Sequence, residues 1–549
     1  MSSTSSFDLK MSFQTDQSPP SADYSNAEAM PAIRDAESSV AETGGNQSLY
    51  NPEVFGSLRK GEILDFFSMD CVGLVAATFA SVFSLVSLDN LMEPMLVDNF
   101  QLERGVLKAS HRITSIPAAF CFFFGLLSDS YPIFGFRRKG YLIMGLSITV
   151  VSFLIISGLG AYADTFDKGD ADIRVAVSII AIATLANIGN MFTFMCVRTR
   201  VIELAQREPL GMRGAIVATY SIFRFFICIL TNLIAYTITT TISAKPYVSI
   251  SIFGLIIAST IPLVWKAWQE KYYSLSTPMK TRGQILWKVM QQKAVWHILV
   301  FLSCYILFTT ISFDSPVATL ATWAGVSNDN VFLEQMLSYG MILVTIVVWR
   351  YYLLNRSWRI FFASSIVLLI VPQVIVAICV TEDLLRDPHF YRFMSIFPSM
   401  AAGVNWIACL IPLTEIVQEG SEGAMVGLML SLQSLVDSFV NSNVIGLFAG
   451  SSFYDPLEVA LDTSKARTEV LQTLLLNYGI NALAFLGLYF LPRQKLDTQQ
   501  LRSYGGYTKS ASAAIVGLAV VLFVYSLIVT ALALNPSTSC LRVAGGDGC

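Results

Sequence analysis

Long apolar runs separated by short polar segments are the main feature of the chain from about residue 68 onwards. A helix that crosses a membrane needs about 20 apolar residues in succession. The second run is the least regular, because Lys108, His111 and Arg112 occupy its first two turns and must face protein or water. The pattern predicts thirteen membrane-spanning helices, at residues 68–92, 105–128, 140–162, 174–197, 213–239, 246–267, 295–317, 331–353, 358–381, 390–416, 423–449, 468–491 and 511–534.

Polar stretches divide these helices into groups. Two groups of six helices joined by a basic cytosolic linker are typical of a two-halved transporter. We expect the thirteenth helix to be a lipid-facing anchor. The predicted organisation is a disordered cytosolic tail at 1–60, an N-terminal six-helix bundle at 61–267, a cytosolic linker at 268–294, a C-terminal six-helix bundle at 295–491, and a last part at 492–549 that comprises a cytosolic segment, the extra helix 511–534 and a short tail.

Composition supports a membrane protein. Hydrophobic residues make up 54% of the chain, only 14% of residues are charged, and the mean hydropathy is +0.59. Ordinary soluble domains carry about 25% charged residues. The expected fold is therefore an all-α, multi-pass protein of the lipid bilayer, in the plasma membrane or an endomembrane. The net charge of −3 gives no reason to expect a nucleic-acid partner.

Catalytic and metal chemistry find little support in the sequence. The three histidines, His111, His297 and His389, stand far apart, whereas metal sites in membrane enzymes need clustered imidazoles. No phosphate-binding glycine motif is present. We therefore expect no catalytic residue, no metal and no cofactor. A membrane-embedded enzyme is kept only as a rival that turnover of a lipid would revive.

Basic residues in the loops set the orientation. With the N-terminus in the cytosol, the loops predicted inside carry twenty Lys and Arg residues, against eleven in the segments predicted outside. The thirteenth helix then places the C-terminus outside. Cys540 and Cys549 would pair there if that side is oxidising.

The sharpest motif joins the second and third helices on the cytosolic side. It contains Gly125, Asp129, Gly135, Arg137 and Arg138. Glycine lets two helices approach closely, and a carboxylate at a helix end can pair with an arginine or with the N-terminus of a neighbouring helix. We expect these five residues to form a gate that latches the inward-closed state. A plain positive-inside turn is the alternative.

This motif resembles the Asp-Ser-x-Pro-Ile-x-Gly-x-Arg-Arg-x-x-Tyr pattern of the folate–biopterin transporter family, a branch of the major facilitator superfamily. The resemblance implies two six-helix bundles around a central cavity and alternating access. It also implies import of folates or pterins, generally with protons. Further stretches that resemble the family are residues 203–214, 323–326, 354–359 and 419–424.

Polar residues inside the predicted helices are the candidate site. Arg224 lies about 16 Å from the cytosolic end of its helix at 1.5 Å per residue, near the middle of a core about 30 Å thick. A midplane arginine is a functional candidate that can hold a carboxylate or the edge of a pterin. Gln433, Asp437 and Asn441 form one polar stripe on the eleventh helix. We expect all four to bind substrate, with Asp437 pairing with Arg224 or carrying a proton; structural pairing is the alternative for each.

Departures from the family pattern bear on the substrate. The family often has a lysine in helix two and two aspartates in helix four, where this chain has Cys121, Phe194 and Arg198. A changed charge pattern implies a changed ligand charge or lost coupling. The expected function is secondary active transport of a small organic solute, folate or pterin, with protons as the candidate coupling ion; the alternative is a non-transporting receptor or scaffold on the same fold. Weaker site candidates are Asp89, Glu93, Asn187, Asn190, Asp314, Asn405 and Glu415.

Overall fold

The computed structural model describes residues 56–534 apart from 101, 103, 167–171, 242–244, 274–275, 277, 327–330 and 445–455, together with residues 538 and 541. Most of the predicted tail 1–60, the end of the predicted helix 423–449, and Cys540 and Cys549 lie outside these residues. Regular secondary structure in the described part of the chain is helical, apart from two isolated β-bridges.

Thirteen helical spans among the described residues are long and apolar enough to cross a membrane, which confirms the predicted fold class. The first half contains α1 (Val72–Phe100), α2 (Arg104–Ala119), α3 (Cys121–Ser130), α4 (Lys139–Ala163), α5 (Ile173–Ala205), α6 (Ala215–Tyr236) and α7 (Pro246–Ala267), with α2 and α3 forming one span. The rest of the chain contains α8 (Met279–Met290), α9 (Lys293–Thr310), α10 (Asp314–Trp323), α11 (Val331–Val348), α12 (Trp358–Thr381), α13 (Pro388–Ala408), α14 (Ile411–Ile416), α15 (Glu422–Val444), α16 (Pro456–Ala460), α17 (Ser464–Ala482), α18 (Ala484–Gly487), α19 (Lys495–Tyr504) and α20 (Lys509–Leu534).

Proline explains two breaks that the hydrophobic pattern did not predict. Pro412 has no N–H to continue the hydrogen-bond ladder, so α13 ends at Ala408 and α14 starts at Ile411. The predicted helix 295–317 extends too far, because α9 ends at Thr310. Pro316 instead falls in the first turn of α10, where a missing N–H costs nothing.

The two halves meet along two pairs of helices. Within the first half, α4 packs on α5 and α7, and α1 packs on α7; within the second, α13 packs on α11 and α12. Between the halves, α3 packs on α15 and α6 packs on α11. We call the face that carries residues 131–138 and α8 the inner face, which the sequence predicts to be cytosolic. The opposite face is the outer face.

The thirteenth span is more than a lipid-facing anchor. Much of α20 is exposed, as expected for lipid contact. Its other side contacts both halves, since the Phe523 ring lies 5.0 Å from the Phe120 ring at the end of α2 and Ser526 hydrogen-bonds Ser438 of α15. The extra helix therefore lies across the boundary between the halves.

The hydrophobic pattern does not predict the short helix α19, because this helix is too short and too polar to resemble a membrane span. It follows the last span of the second half and lies on the inner face. Lys495 at its start is fully buried, and its Nζ donates to the Leu210 carbonyl oxygen and to Asn355 Oδ1, both at 3.2 Å. Through Lys495 this helix contacts both halves.

Candidate functional site

The carboxylate of Asp129 lies where α3 meets the start of α15. It accepts hydrogen bonds from the backbone N–H groups of Gly423 at 3.2 Å and Ala424 at 2.8 Å. Arg138 Nη2 donates to the same carboxylate at 2.6 Å, and both side chains are almost fully buried. The N-terminus of a helix favours a negative charge. Asp129 therefore joins the two halves while it neutralises Arg138.

Glycine permits this contact. A Cβ atom on Gly125 would lie 2.0 Å from the Gly423 carbonyl oxygen, and one on Gly427 would lie 2.2 Å from the Cys121 carbonyl oxygen. Both neighbours are backbone atoms, which cannot swing aside. The backbones of α3 and α15 thus touch without side chains between them.

The remaining two motif residues shape the turn before α4. Gly135 has a left-handed backbone (φ 78°), where a side chain would also meet the Tyr272 ring. The Arg137 guanidinium lies over the Tyr273 ring, 3.9 Å from its centroid. Backbone N–H groups of residues 137–139 donate to Glu270 at 2.8–3.1 Å. Glu270 therefore holds this turn, although no sequence pattern marks it, and Arg137 packs within the first half.

A second buried ion pair joins the halves nearby. Arg213 Nη1 lies 2.9 Å from Glu415 Oε2, and neither side chain has any exposed surface. Arg59 pairs with Glu422, whose other oxygen lies 3.6 Å from Arg138 Nη2. We call the set Asp129, Arg138, Arg213, Glu415 and Glu422 the inner gate.

Glu208, in the loop between α5 and α6, should make the stability of the protein depend on pH. Its carboxylate accepts hydrogen bonds from the backbone N–H groups of Gly214 and Ile216 at 2.8 and 2.9 Å. Burial raises the pKa of Glu208 to about 7. The unfolded chain has a glutamate pKa of about 4.3, below that of the folded protein. The folded state therefore binds the proton more tightly, and this stabilises the protein at pH values below about 4.3. The stabilisation is lost as the pH rises through about 7.

We therefore expect the melting temperature of the detergent-solubilised protein to fall between pH 5.5 and pH 8, and to fall less in Glu208→Gln. Thermal unfolding of both proteins at the two pH values measures the difference. Equal falls in the two proteins would contradict the expectation. Lys495, whose pKa burial lowers to about 8, titrates above most of this window.

A cavity of about 700 Å³ lies in the outer half of the molecule, between α1, α2, α5 and α11. Its wall includes Asp89, Glu93 and Asn187, all weaker candidates from the sequence, and also His111 and Tyr339. His111 thus faces the cavity, in line with the expectation that the polar start of the second span avoids lipid. The buried ion pairs of the inner gate lie towards the opposite, inner face.

Arg224 of α6 lies deeper, beside a second arginine. Both Arg198 on α5 and Arg224 are buried, and each guanidinium carbon lies over the rings of Phe194 and Trp406, 4.7–5.2 Å from the centroids. Among the described residues, neither arginine forms an ion pair with a carboxylate. The Thr310 side chain lies beside the Asp437 carboxyl group instead.

Among the described side chains of the polar stripe on α15, neither Gln433 nor Asp437 forms an ion pair or a hydrogen bond with Arg224. Gln433 and Asp437 are half-buried on this helix, and the side chain of Asn441 lies outside the described residues. Sequence reasoning treated Arg198 only as a departure from a family pattern and gave Trp406 no role. Their proximity to Arg224 depends on how α5, α6 and α13 are arranged in the folded protein, which no local sequence pattern reports.

Two other polar candidates have structural roles. Asn190 is buried, and its Oδ1 accepts hydrogen bonds from Ser84 at 2.5 Å and Thr149 at 3.3 Å, which ties α5 to α1 and α4. Asn405 Nδ2 donates to Thr309 Oγ1 at 3.4 Å within the second half. Both contacts hold helices of one bundle together.

Comparison with known proteins gives one family. The model of the BT1 family matches residues 83–502. Among solved structures, the proton:xylose symporter XylE, of the major facilitator superfamily, is 14% identical with a TM-score of 0.55, over 82% of this chain and 98% of that one. A bacterial homologue of the iron transporter ferroportin, in an outward-facing state, is 13% identical with a TM-score of 0.54, over 77% and 100% of the two chains. At this identity the structures support the fold alone. No curated protein sequence matched the chain.

Proposed function

The chain belongs to the BT1 family of folate–biopterin transporters, and from this premise we propose that it moves folate or a related pterin by alternating access. It is an integral multi-pass membrane transporter, and its family and structural neighbours are transporters rather than enzymes. The finer proposal concerns the solute, the coupling ion and the gate.

The observation that carries the proposal is an outer cavity above a closed inner gate. Buried pairs between the halves, Asp129 with the start of α15 and Arg213 with Glu415, hold the inner face shut. Ligand sites have volumes of roughly 300–1,000 Å³, and the cavity of about 700 Å³ falls in this range. Rocking of one half against the other would open the gate and expose the solute to the inner side.

The charges around this path suit a molecule with unlike ends. Asp89 and Glu93 line the outer cavity, where carboxylates can accept hydrogen bonds from the amino edge of a pterin. Arg224 lies deeper: at about 1.5 Å per residue, it is roughly 14 Å from the start of α6, against roughly 26 Å for Asp89 from the start of α1. An arginine there suits the carboxylate end of folate.

Protons complete the proposed mechanism. Asp89 and His111 both line the outer cavity, where they can exchange protons with the outer solution. We propose that this pair carries the proton and that Asp437, half-buried on α15, is a second candidate carrier.

The test is uptake of labelled folate and biopterin into proteoliposomes, with and without an inward proton gradient. We expect gradient-stimulated uptake by the wild type. In Arg224→Ala we expect uptake to fall at least tenfold, since a hydrogen-bonded charge contributes about 1.5–3 kcal/mol. The matched control is Phe226→Ala, two residues away on α6 with 53% of its surface exposed towards lipid.

Uptake that is equal in Arg224→Ala and Phe226→Ala would remove Arg224 from the solute site. Binding of folate without any accumulation would favour the second candidate function, a non-transporting receptor. The buried charge of the inner gate favours a moving gate over a fixed scaffold, because ionic pairs are a costly way to stabilise a static core.

A further inference from the structure

We propose that Arg198 and Arg224 together form a subsite for two anionic groups of one substrate, and that Arg198 makes this chain select dianions. The inference rests on the proposed function, because it concerns the same solute path. It goes further in naming the charge that the solute must carry. A neutral pterin would be a poor ligand under this proposal, and a dicarboxylate would be a good one.

The first argument is the cost of two unpaired charges. Arg198 is 2% exposed and Arg224 is 8% exposed. Neither has a carboxylate partner among the described residues, and the buried Nε atoms of both lack a hydrogen-bond acceptor there. Uncompensated charges within the membrane are expensive and mark functional sites. Because the two like charges also repel, a single anion with two acidic groups is the ligand that would compensate both.

The second argument is the orientation of the guanidinium groups. Phe194 and Trp406 lie against both arginines, 4.7–5.2 Å from each guanidinium carbon to each ring centroid. A guanidinium stacked on a ring presents its N–H groups at its edge, in the fork that fits a carboxylate. The rings therefore hold the arginines in place without using up their donors.

The third argument is the position of the pair along the path. Met191 and Tyr339 line the outer cavity, and Phe194 follows Met191 by about one turn of α5 towards the inner face. The Phe225 ring lies 6.1 Å from Tyr339 and 5.3 Å from Trp406. These aromatic rings separate the cavity from the arginines. The subsite thus lies between the outer cavity and the inner gate, where a solute must pass during alternating access.

The fourth argument is the contrast with the rest of the molecule. The buried arginines of the inner gate, Arg138 and Arg213, each have a carboxylate within 2.9 Å. The chain therefore supplies acids to arginines whose role is to hold the halves together. It supplies none to Arg198 and Arg224 among the described residues.

The test uses two probes without a pterin ring. N-Benzoylglutamate carries two carboxylates and hippurate, N-benzoylglycine, carries one. Binding of each to the purified full-length protein is measured by isothermal titration calorimetry. For the wild type we expect N-benzoylglutamate to bind roughly 10- to 100-fold more tightly than hippurate, the factor expected for one more charged hydrogen-bonded contact.

In Arg198→Gln we expect this preference to vanish, while hippurate binding changes less than threefold. Arg198→Lys, which keeps the charge but loses the fork, should retain part of the preference. The matched control is Arg174→Gln, at the exposed outer end of the same helix, which should keep the wild-type ratio. Monodispersity and melting temperature of each variant confirm that it is folded.

An unchanged ratio in folded Arg198→Gln, or equal binding of both probes to the wild type, would overturn the inference and leave the arginines as a structural cluster. These outcomes are separate from the uptake assay. If the wild type prefers the dianion and Arg198→Gln loses that preference, but folate is not taken up, the subsite is right and the solute is another dianion. If folate is taken up but the ratio is unchanged in Arg198→Gln, the proposed function is right and the dianion subsite is wrong.

Discussion

Asp129→Ala is expected to destabilise the protein by about 3–5 kcal/mol, the usual cost of removing one partner from a buried ion pair. The substitution leaves Arg138, which is 2% exposed, without its nearest carboxylate. It also leaves the N–H groups of Gly423 and Ala424 at the start of α15 without their acceptor. Glu422 lies 3.6 Å from Arg138 and already serves Arg59, so it cannot replace both functions.

Thermal unfolding of the detergent-solubilised protein measures this loss, and the matched control is Asp164→Ala. Asp164 pairs with Lys245 at the outer surface, where the lysine side chain is 58% exposed. Exposed pairs of this kind contribute about 0–1 kcal/mol. We expect a large fall in melting temperature for Asp129→Ala and almost none for Asp164→Ala. Similar falls in both variants would mean that the Asp129 pair does not hold the inner face.

The conservative variant Asp129→Asn separates charge from hydrogen bonding. Its amide oxygen can still accept one N–H from the start of α15, but it no longer neutralises Arg138. We expect stability between those of the wild type and Asp129→Ala. We also expect impaired uptake, because a gate of weakened closure spends less time in the state with the outer cavity available.

The sequence predicts those features of the fold and the candidate site that depend on residues close together in the chain. The spans follow from runs of apolar residues, and the motif around Asp129 follows from residues close together in the chain. Asp129 meets both kinds of partner that the sequence suggested, Arg138 and the start of α15. The contacts of Gly125 with Gly423 were predicted only as close helix approach, without the partner.

Other features depend on contacts between distant segments. Arg198 and Trp406 are 208 positions apart in the chain, yet in the folded protein the guanidinium carbon lies 4.8 Å from the ring centroid. Glu270 reaches the turn at residues 137–139 from beyond α7. Lys495 has the sequence context of a surface helix, yet it is buried because α19 lies on the loops of both halves. A single sequence reports none of these contacts.

Gly125→Val is expected to prevent closure of the inner face and to abolish uptake. A Cβ atom at this position would lie 2.0 Å from the Gly423 oxygen and 2.4 Å from its carbonyl carbon. Because these are backbone atoms, α3 and α15 must separate to admit the side chain. Overpacking of a tight interface costs about 1–3 kcal/mol, and each 1.4 kcal/mol shifts a two-state equilibrium about tenfold. The conformation with an open inner face does not need contact between α3 and α15. We therefore expect Gly125→Val to accumulate in that conformation.

The readout is the reactivity of Cys121, which is fully buried in this structure beside Gly427. In a background where Cys121 is the sole cysteine, an inner-side maleimide should modify it much faster in Gly125→Val than in the parent protein. The control is Gly158→Val on α4, where a Cβ would meet nothing within 4 Å and uptake should persist. Full uptake with a protected Cys121 in Gly125→Val would show that closure does not need this contact. Exposure of Cys121 together with loss of uptake would show that transport requires α3 and α15 to come together. The substitution adds no charge and touches neither the outer cavity nor the arginine pair, so the loss could be assigned to this contact.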